Sequence, residues 1–131
     1  MTKTIAEVSA AFSSGRTTSV AETETLLDTI DKSGGEGGRA FLKVYHDRAR
    51  ATARASDEAR KLGVEGGPLA GIAISIKDLF DVAGEVTLAG SKVRDKSAPA
   101  PADAPILARL RAAGAVIIGR TNMTEFAFSG L

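Results

Sequence analysis

Residues 71–77 read GIAISIK, and they set the predicted fold of the second half of the chain. Three isoleucines alternate there with Ala73 and Ser75, which is the period-two pattern of a β-strand. A second apolar run, AVIIG at residues 115–119, lies between glycines and is typical of a strand buried on both faces. The sequence therefore predicts two strands separated by a long connection.

The connection between these strands is predicted to hold a loop and a helix. Three of the four prolines fall in SAPAPADAP at residues 97–105, which indicates an exposed connector. We expect Asp103 to cap a helix over residues 106–113 and Gly114 to end it. A strand, a helix and a second strand form the βαβ unit, whose strands are parallel. The second half of the chain is therefore predicted to be α/β.

The first half of the chain has the patterns of helices. TIAE at residues 4–7 has capping-box spacing and SVAE at residues 19–22 repeats it, so each is expected to begin a helix. The glycines of SGGEGG, residues 33–38, are expected to end the second helix and form a flexible linker. AFLKVY, residues 40–45, fits either an edge strand or the lead into a third helix over residues 46–62.

The third predicted helix is rich in small residues. Ala51, Ala55 and Ala59 recur four apart, which predicts that they form its packing side. Asp57 and Lys61 have the i, i+4 spacing of an ion pair on the solvent side.

Composition restricts the classes of function. The 131 residues are 44% apolar and 25% charged with a net charge of +1, which is typical of a soluble protein and gives no basic surplus for nucleic acid or an anionic membrane. The absence of cysteine excludes disulfides and thiolate chemistry, and the single His46 excludes a multi-histidine metal site. We predict no metal, no cofactor, no nucleic-acid or membrane partner and a cytoplasmic location, and we leave a homodimer open.

Lys77 is the first candidate for chemistry, because α/β sheets carry their sites beyond the carboxyl ends of the strands. One interpretation is an ordinary lysine that extends its ammonium group into water. The other is a base: Ala73 and Ser75 share its face and leave room for a cavity, where desolvation would favour the neutral amine. A neutral amine can take a proton from a hydroxyl group, as in Ser-Lys hydrolases.

Two long segments carry a resemblance to a known family. GPLAGIAISIKDLFDVAG, AGS at residues 89–91 and RLRAAGAVIIGRTNMTEFAFSG at residues 109–130 closely resemble the amidase signature family. The likeness runs from about Gly66 to Leu131, whereas the first half resembles the family's N-terminal helices only loosely. The resemblance implies an α/β fold in two parts. Residues 1–65 form the N-terminal helical region, and residues 66–131 form the first βαβ part of the family's mixed-sheet core, which is incomplete here.

The resemblance also implies a function. Lys77 matches the lysine of the family's Ser-cisSer-Lys triad, in which the lysine takes a proton from one serine, and that serine activates a second serine that attacks an amide carbonyl. By position, Ala127 and Phe128 are expected to approach the acyl side of the substrate. The expected activity is hydrolysis of a small linear amide to an acid and ammonia or an amine through an acyl-enzyme.

The sequence departs from the family in one respect. The family's GGSSGG-like segment, which carries both serines and the oxyanion loop, has no counterpart in these residues, and Ser129 precedes its place. We therefore expect the chain to be an N-terminal fragment that is inactive alone.

Polar residues near Lys77 are expected to have structural roles. An ionised Asp78 or Asp81 beside the lysine would oppose its action as a base, so both are predicted to hold the loop. Gly84 and Gly90 are predicted to lie in turns with positive φ. Ser91 could orient the lysine, although a backbone hydrogen bond is favoured.

Residues after the second strand are given similar roles. Glu125 is expected to be a hydrogen-bonded structural carboxylate, and Thr121 and Asn122 are expected to stabilise the loop. Phe126 and Phe128 are expected in the core, with a pocket position for Phe128 equally open.

Two other functions remain open. One is the A subunit of the Glu-tRNA(Gln) amidotransferase, which has the same signature; we rank it second because the alanine-rich helix and SGGEGG do not closely match the usual opening of that protein. The other is a non-catalytic interaction or assembly module, which would need this piece to fold alone.

Overall fold

The computed structural model describes residues 3–32, 35–64 and 66–128. Helices occupy both sides of a small mixed sheet, and short 3₁₀ turns cover Lys92–Arg94 and Glu125–Ala127. The regular elements, in chain order, are α1 (Ile5–Ser13), α2 (Ser19–Asp31), α3 (Gly37–Ala40), β1 (Phe41–Val44), α4 (His46–Lys61), β2 (Ala73–Lys77), α5 (Pro105–Ala112) and β3 (Val116–Thr121).

The sheet has the order β1-β3-β2. β2 and β3 are parallel, and α5 lies between them in the chain, so the predicted βαβ unit is confirmed. β1 pairs antiparallel with the other side of β3, which confirms the edge-strand alternative for residues 40–45. A strand from the first half of the chain therefore belongs to the same sheet as the two strands from the second half.

The central strand β3 is covered on both faces, as its apolar sequence predicts. Ile117 packs in one cluster with Ile76 of β2 and Leu107 of α5. Val116 and Ile118 pack in a second cluster with the alanines of α4. Because successive side chains of a strand alternate, β3 joins both clusters into one layered core.

The first two helices begin at side-chain caps. Thr4 and Glu7 form the predicted capping box of α1. The cap of α2 is Thr18, whose hydroxyl accepts from the Ala21 amide, and not Ser19 as predicted. Ser19 is the first helical residue and is buried, and its hydroxyl donates to the Gly71 carbonyl at 2.7 Å. The hydroxyl that the pattern assigned to the helix therefore joins α2 to the residues that lead into β2.

Helix α4 packs on a different face from the predicted one. Its buried residues are Ala49, Ala53 and Asp57. The Asp57 carboxylate accepts from the amides of Ser19 and Val20 at 2.9 and 3.0 Å and is therefore not on the solvent side. This bond places a carboxylate on the first turn of α2, where free N–H groups attract negative charge.

Asp103 does not cap α5. The residue directly before α5 is Ala104, whose side chain makes no capping hydrogen bond, and Pro105 lies in the first turn of the helix. The Asp103 carboxylate instead accepts from the Ala83 amide at 2.9 Å and pairs with Arg111 at 2.8 Å. It ties the loop after β2 to α5, and Gly114 ends the helix as predicted, with φ of 87°.

The predicted glycine linker is partly helical. Residues 33 and 34 lie outside the described residues, and Gly37–Ala40 forms the short helix α3 directly before β1. Across the described ranges, no helix combines the length and the apolar character that crossing a bilayer requires.

Candidate functional site

Lys77 lies at the carboxyl end of β2, opposite Thr121 of β3 in the parallel register. Its side chain is exposed, as is that of Ser75, whereas Ile76 and Asp78 are buried. The alternation places the lysine on the face of β2 away from Ile76, as expected for a strand. Within the described residues this face is open, so a sheltered amine at position 77 stays a prediction.

Asp78 is turned into the protein beneath the strand end. Its carboxylate pairs with Arg120 of β3 at 2.6 Å, and both side chains are 3% exposed. The Asp78 backbone links β3 to residue 89, since its amide donates to the Thr121 carbonyl and its carbonyl accepts from the Ala89 amide. The predicted structural role of Asp78 is confirmed, and its charge is compensated by a guanidinium group.

Arg120 holds the loop that follows Lys77. Besides Asp78, its guanidinium group donates to the Phe80 carbonyl, the Thr87 hydroxyl and the Glu85 carboxylate at 3.2–3.3 Å. All of these partners lie between residues 78 and 87. A single buried side chain on β3 therefore fixes the loop after the candidate base.

Asp81 and Glu85 complete this loop. The Thr87 hydroxyl donates to Asp81 at 2.6 Å, which confirms the loop-holding role of Asp81. Glu85 accepts from the Tyr45 hydroxyl at 2.8 Å and pairs with Lys43 at 2.9 Å. The loop is thereby joined to β1 and to the first residue after it.

The ionisation of Glu85 and Tyr45 follows from these contacts. Burial acts to raise the pKa of Glu85, but donors on Lys43, Tyr45 and Arg120 outweigh it and leave that pKa below its usual value. Burial, together with the hydrogen bond to Glu85, raises the pKa of Tyr45. Glu85 is therefore held as the anion and Tyr45 as the neutral phenol near neutral pH.

Backbone strain is concentrated beside this loop. Among the described residues, the non-glycine residues with positive φ are Ala89 (53°), Phe126 (50°) and Ala127 (58°). The Phe126 amide donates to the Ala89 carbonyl at 2.7 Å, so all three lie together. Each such residue costs about 1–2 kcal/mol and persists only where its surroundings determine it. Gly84 and Gly90 also have positive φ, as predicted.

Ser91 and Glu125 join the two strained segments. The Ser91 hydroxyl donates to the Glu125 carboxylate at 2.5 Å, which confirms Glu125 as a hydrogen-bonded carboxylate. Ser91 also accepts from the Val93 amide at 3.4 Å, so the favoured backbone hydrogen bond is present too. Asn122 likewise has a loop role, because its amide donates to Ala40 and its side chain accepts from the Met123 amide.

The two predicted substrate contacts lie in the turn after β3. Ala127 and Phe128 are both exposed, with Phe128 81% exposed, and Phe126 is 52% exposed. A core position for Phe126 and Phe128 is therefore wrong within the described residues. Through Ala89, the turn is hydrogen-bonded to the residue that follows Lys77, so the structure brings the candidate base and the predicted acyl contacts to one end of the sheet.

Among the described residues, a sizeable cavity lies at the other end of the sheet. It measures about 680 Å³ and is lined by α1, α4 and the loops around Gly67 and Gly114, near the amino ends of β2 and β3. The titratable side chain in its wall is that of Arg60, which already pairs with Asp57. Size does not make this cavity the site, since parallel strands place reactive groups at their carboxyl ends.

The signals for several of these residues were weak in the sequence. Arg120 lies in a buried strand, one glycine after a run of β-branched residues, and a charge in that place indicates an internal partner. Glu85 and Tyr45 are 40 positions apart, and Ala89 has no local signal for positive φ. Tertiary contacts alone bring them to the site.

Comparisons with known proteins agree with this architecture. A model of the Amidase family matches residues 22–130, so the likeness begins well before Gly66. The A subunit of glutamyl-tRNA(Gln) amidotransferase from Streptomyces coelicolor is 45% identical over 95% of the chain and 24% of its own length. AtzE of Pseudomonas sp. strain ADP, from the 1-carboxybiuret hydrolase, is 44% identical over 93% of the chain and 26% of its own.

A solved structure gives the same result. The peptide amidase of Stenotrophomonas maltophilia is 34% identical with a TM-score of 0.81, over 93% of this chain and 25% of that one. The chain thus spans about a quarter of the length of these relatives. Because the family match covers most of the chain and the fold agrees, the chain belongs to the amidase signature family.

Proposed function

We propose that this chain contributes the lysine base of an enzyme that cleaves the C–N bond of a linear amide. The observation that carries the proposal is the place of Lys77, at the carboxyl end of β2, with its neighbouring carboxylate Asp78 turned inward and paired with Arg120. The Asp78 carboxylate is thereby engaged by Arg120 rather than by the lysine beside it. The serines would come from polypeptide outside these 131 residues, which contain no GGSSGG-like loop.

The proposed reaction divides into proton transfer and acyl transfer. The neutral amine of Lys77 accepts a proton from the first serine hydroxyl, and the first serine in turn accepts one from the second serine. The oxygen of that second serine forms a bond to the amide carbon, and the C–N bond breaks as the leaving nitrogen takes a proton. Water then cleaves the ester and restores both serines, and backbone N–H groups of the serine loop stabilise the oxyanion.

We also propose that Ala127 and Phe128 contact the acyl side of the substrate. Their exposed turn is joined to the loop after Lys77 by the hydrogen bond from Phe126 to Ala89. An exposed aromatic ring at the same end of the sheet as the proposed base offers apolar area to an acyl chain.

A second candidate is amide cleavage within an amidotransferase. The likeness to the glutamyl-tRNA(Gln) amidotransferase protein extends over 95% of the chain, so the opening helices give no reason to rank this function lower. In that case the amide would be glutamine and the released ammonia would be passed on. Both candidates use the same base, and no contact in the described residues favours the assembly-module interpretation.

The test uses the active protein, meaning these 131 residues together with the polypeptide that supplies the serine loop. We expect Lys77→Ala to lower kcat for amide cleavage by at least about a thousandfold, because a positioned general base contributes about 10²–10⁴-fold and here also activates the nucleophile. Lys92→Ala, which removes another exposed lysine, should leave kcat within about twofold. Ammonia release from glutamine and from simple aliphatic amides would separate the two candidates.

Three results would count against the proposal. The first is full activity of Lys77→Ala, and the second is full activity of a protein that lacks the serine loop. The third is turnover of a simple amide by the 131 residues alone in a reaction that Lys77→Ala abolishes, which would show that the described site is complete without further serines.

A further inference from the structure

The strained residues form a direct backbone link between the candidate base and the predicted substrate contacts. The Ala89 amide donates to the Asp78 carbonyl at 2.9 Å, and the Ala89 carbonyl accepts from the Phe126 amide at 2.7 Å. Ala89 is buried, whereas Phe126 and Ala127 are exposed. One residue therefore connects the position after Lys77 to the turn that carries Ala127 and Phe128.

Two neighbouring contacts hold this link in place. The buried Ser91 hydroxyl donates to the Glu125 carboxylate at 2.5 Å, at the first residue of the turn. Gly90 lies so close to the end of β3 that a Cβ atom there would be 2.7 Å from the Met123 carbonyl oxygen. The segment 89–91 and the residues that follow β3 are therefore in contact at three successive positions.

Besides these contacts, the turn has two backbone hydrogen bonds of its own, from the Ala127 amide to the Thr124 carbonyl and from the Phe128 amide to the Glu125 carbonyl. The side chains of residues 124–128 are exposed, so apolar packing within the described residues does not determine its place. Left-handed backbone at Phe126 and Ala127 is unfavourable for residues with side chains, and it persists only if surrounding contacts impose it. In this structure the contacts from outside the turn that do so include those from residues 89–91, through Ala89 and Ser91.

We propose that residues 89–91 determine acyl specificity, with Ser91 as a positioning residue that holds the turn 125–128 at a fixed distance from Lys77. The inference rests on the proposed function and assigns a role to residues that do not touch the reacting atoms. A fixed turn gives the acyl side of the site one shape, so amides that differ in chain length are cleaved at different rates. When the hydrogen bond from Ser91 is lost, the turn can move and this discrimination weakens.

The experiment compares substrates rather than total activity. In the active protein, kcat/KM is measured for unbranched primary amides from acetamide to hexanamide. We expect Ser91→Ala to change the ratio between the best and worst amide by roughly three- to tenfold, the effect of one hydrogen bond. Glu125→Ala should do the same, whereas Glu125→Gln, which keeps an acceptor oxygen, should retain most of the discrimination.

Ser19→Ala is the matched control. It also removes a buried serine hydroxyl with a short hydrogen bond, to the Gly71 carbonyl at 2.7 Å, but at the other end of the sheet. A substitution that acts only on structure should lower kcat/KM for all amides by the same factor. We expect this uniform change for Ser19→Ala. An equal loss across the series in both Ser91→Ala and Glu125→Ala would overturn the proposal.

Hydrogen exchange gives a readout that does not depend on activity. The backbone amides of residues 126–128 should exchange faster in Ser91→Ala and Glu125→Ala than in the wild type, and unchanged exchange would overturn the positioning role. Because Glu125 is exposed, Glu125→Ala remains informative if Ser91→Ala does not fold. A wild-type protein that cleaves no amide would instead overturn the proposed function, and the specificity role with it.

Discussion

Replacement of Arg120 by methionine tests whether a buried ion pair holds the loop after Lys77. Methionine keeps much of the apolar stem and removes the guanidinium group. The change leaves the Asp78 carboxylate 3% exposed and without its cation, and its second oxygen already lacks a hydrogen-bond partner among the described residues. Glu85 keeps its donors on Lys43 and Tyr45, so Asp78 is the group that loses most.

The expected loss can be estimated from the geometry. At 2.6 Å the gross attraction between Arg120 and Asp78 is roughly 6 kcal/mol at an effective dielectric constant of about 20. Desolvation of both ions offsets part of that attraction when the pair forms. Removal of one partner leaves a buried charge and typically costs about 3–5 kcal/mol, so we expect the free energy of unfolding to fall by that amount.

Urea denaturation of the purified active protein measures the change. The control is Arg50→Met, because Arg50 pairs with Glu24 through three hydrogen bonds but the two side chains are 30% and 39% exposed. An exposed pair contributes at most about 1 kcal/mol. Adding Asp78→Asn to Arg120→Met should recover part of the loss, since no unpaired charge then remains. Equal losses for Arg120→Met and Arg50→Met would refute the role assigned to this pair.

Two further predictions concern the same sheet. The pKa of Glu85 is lower in the folded protein than its ordinary value of 4.5. Its contribution to stability is therefore present above about pH 4.5 and is lost as the pH falls through the lower folded pKa. Urea denaturation at a series of pH values should show a flatter loss of stability in acid for Glu85→Gln than for the wild type, and an unchanged acid loss would contradict this. Gly119→Ala should lower the free energy of unfolding by about 1–3 kcal/mol, because its Cβ would lie 2.5 Å from the Lys43 carbonyl oxygen. The control Gly38→Ala places its Cβ within 4 Å of no atom and should change thermal stability little. Similar melting temperatures for the two variants would show that β1 and β3 are less closely packed than described.

Local patterns were sufficient for the regular elements of the second half. The alternating isoleucines, the glycine-bounded run before Arg120 and the proline-rich connector predicted β2, β3 and α5, because hydrophobic periodicity reports directly on which positions are buried. The parallel pairing of β2 with β3 followed from the length of the connection between them.

Local patterns were wrong where a polar side chain has a distant partner. The spacing rules predict Asp57 on the solvent side and Asp103 at a helix start. In the structure Asp57 caps α2, and Asp103 joins the loop after β2 to α5. Ser19 fits a capping position in sequence, but its hydroxyl bonds to Gly71, 52 residues away. Short spacing rules consider near neighbours, so they cannot identify acceptors that only the fold brings close.

For the candidate site, the sequence by itself determined where a base could lie. The strand pattern ending in Lys77, and its likeness to a family motif, needed no coordinates. Only the tertiary structure decided what surrounds that strand end. Arg120 pairs there with Asp78, and Glu85 is bound by Lys43 and Tyr45. Ala89 has a left-handed backbone beside the turn after β3. The physical reason is that hydrophobic periodicity is a local property of the chain, whereas buried charges and strained backbone are tolerated only when residues far apart in sequence meet to compensate them.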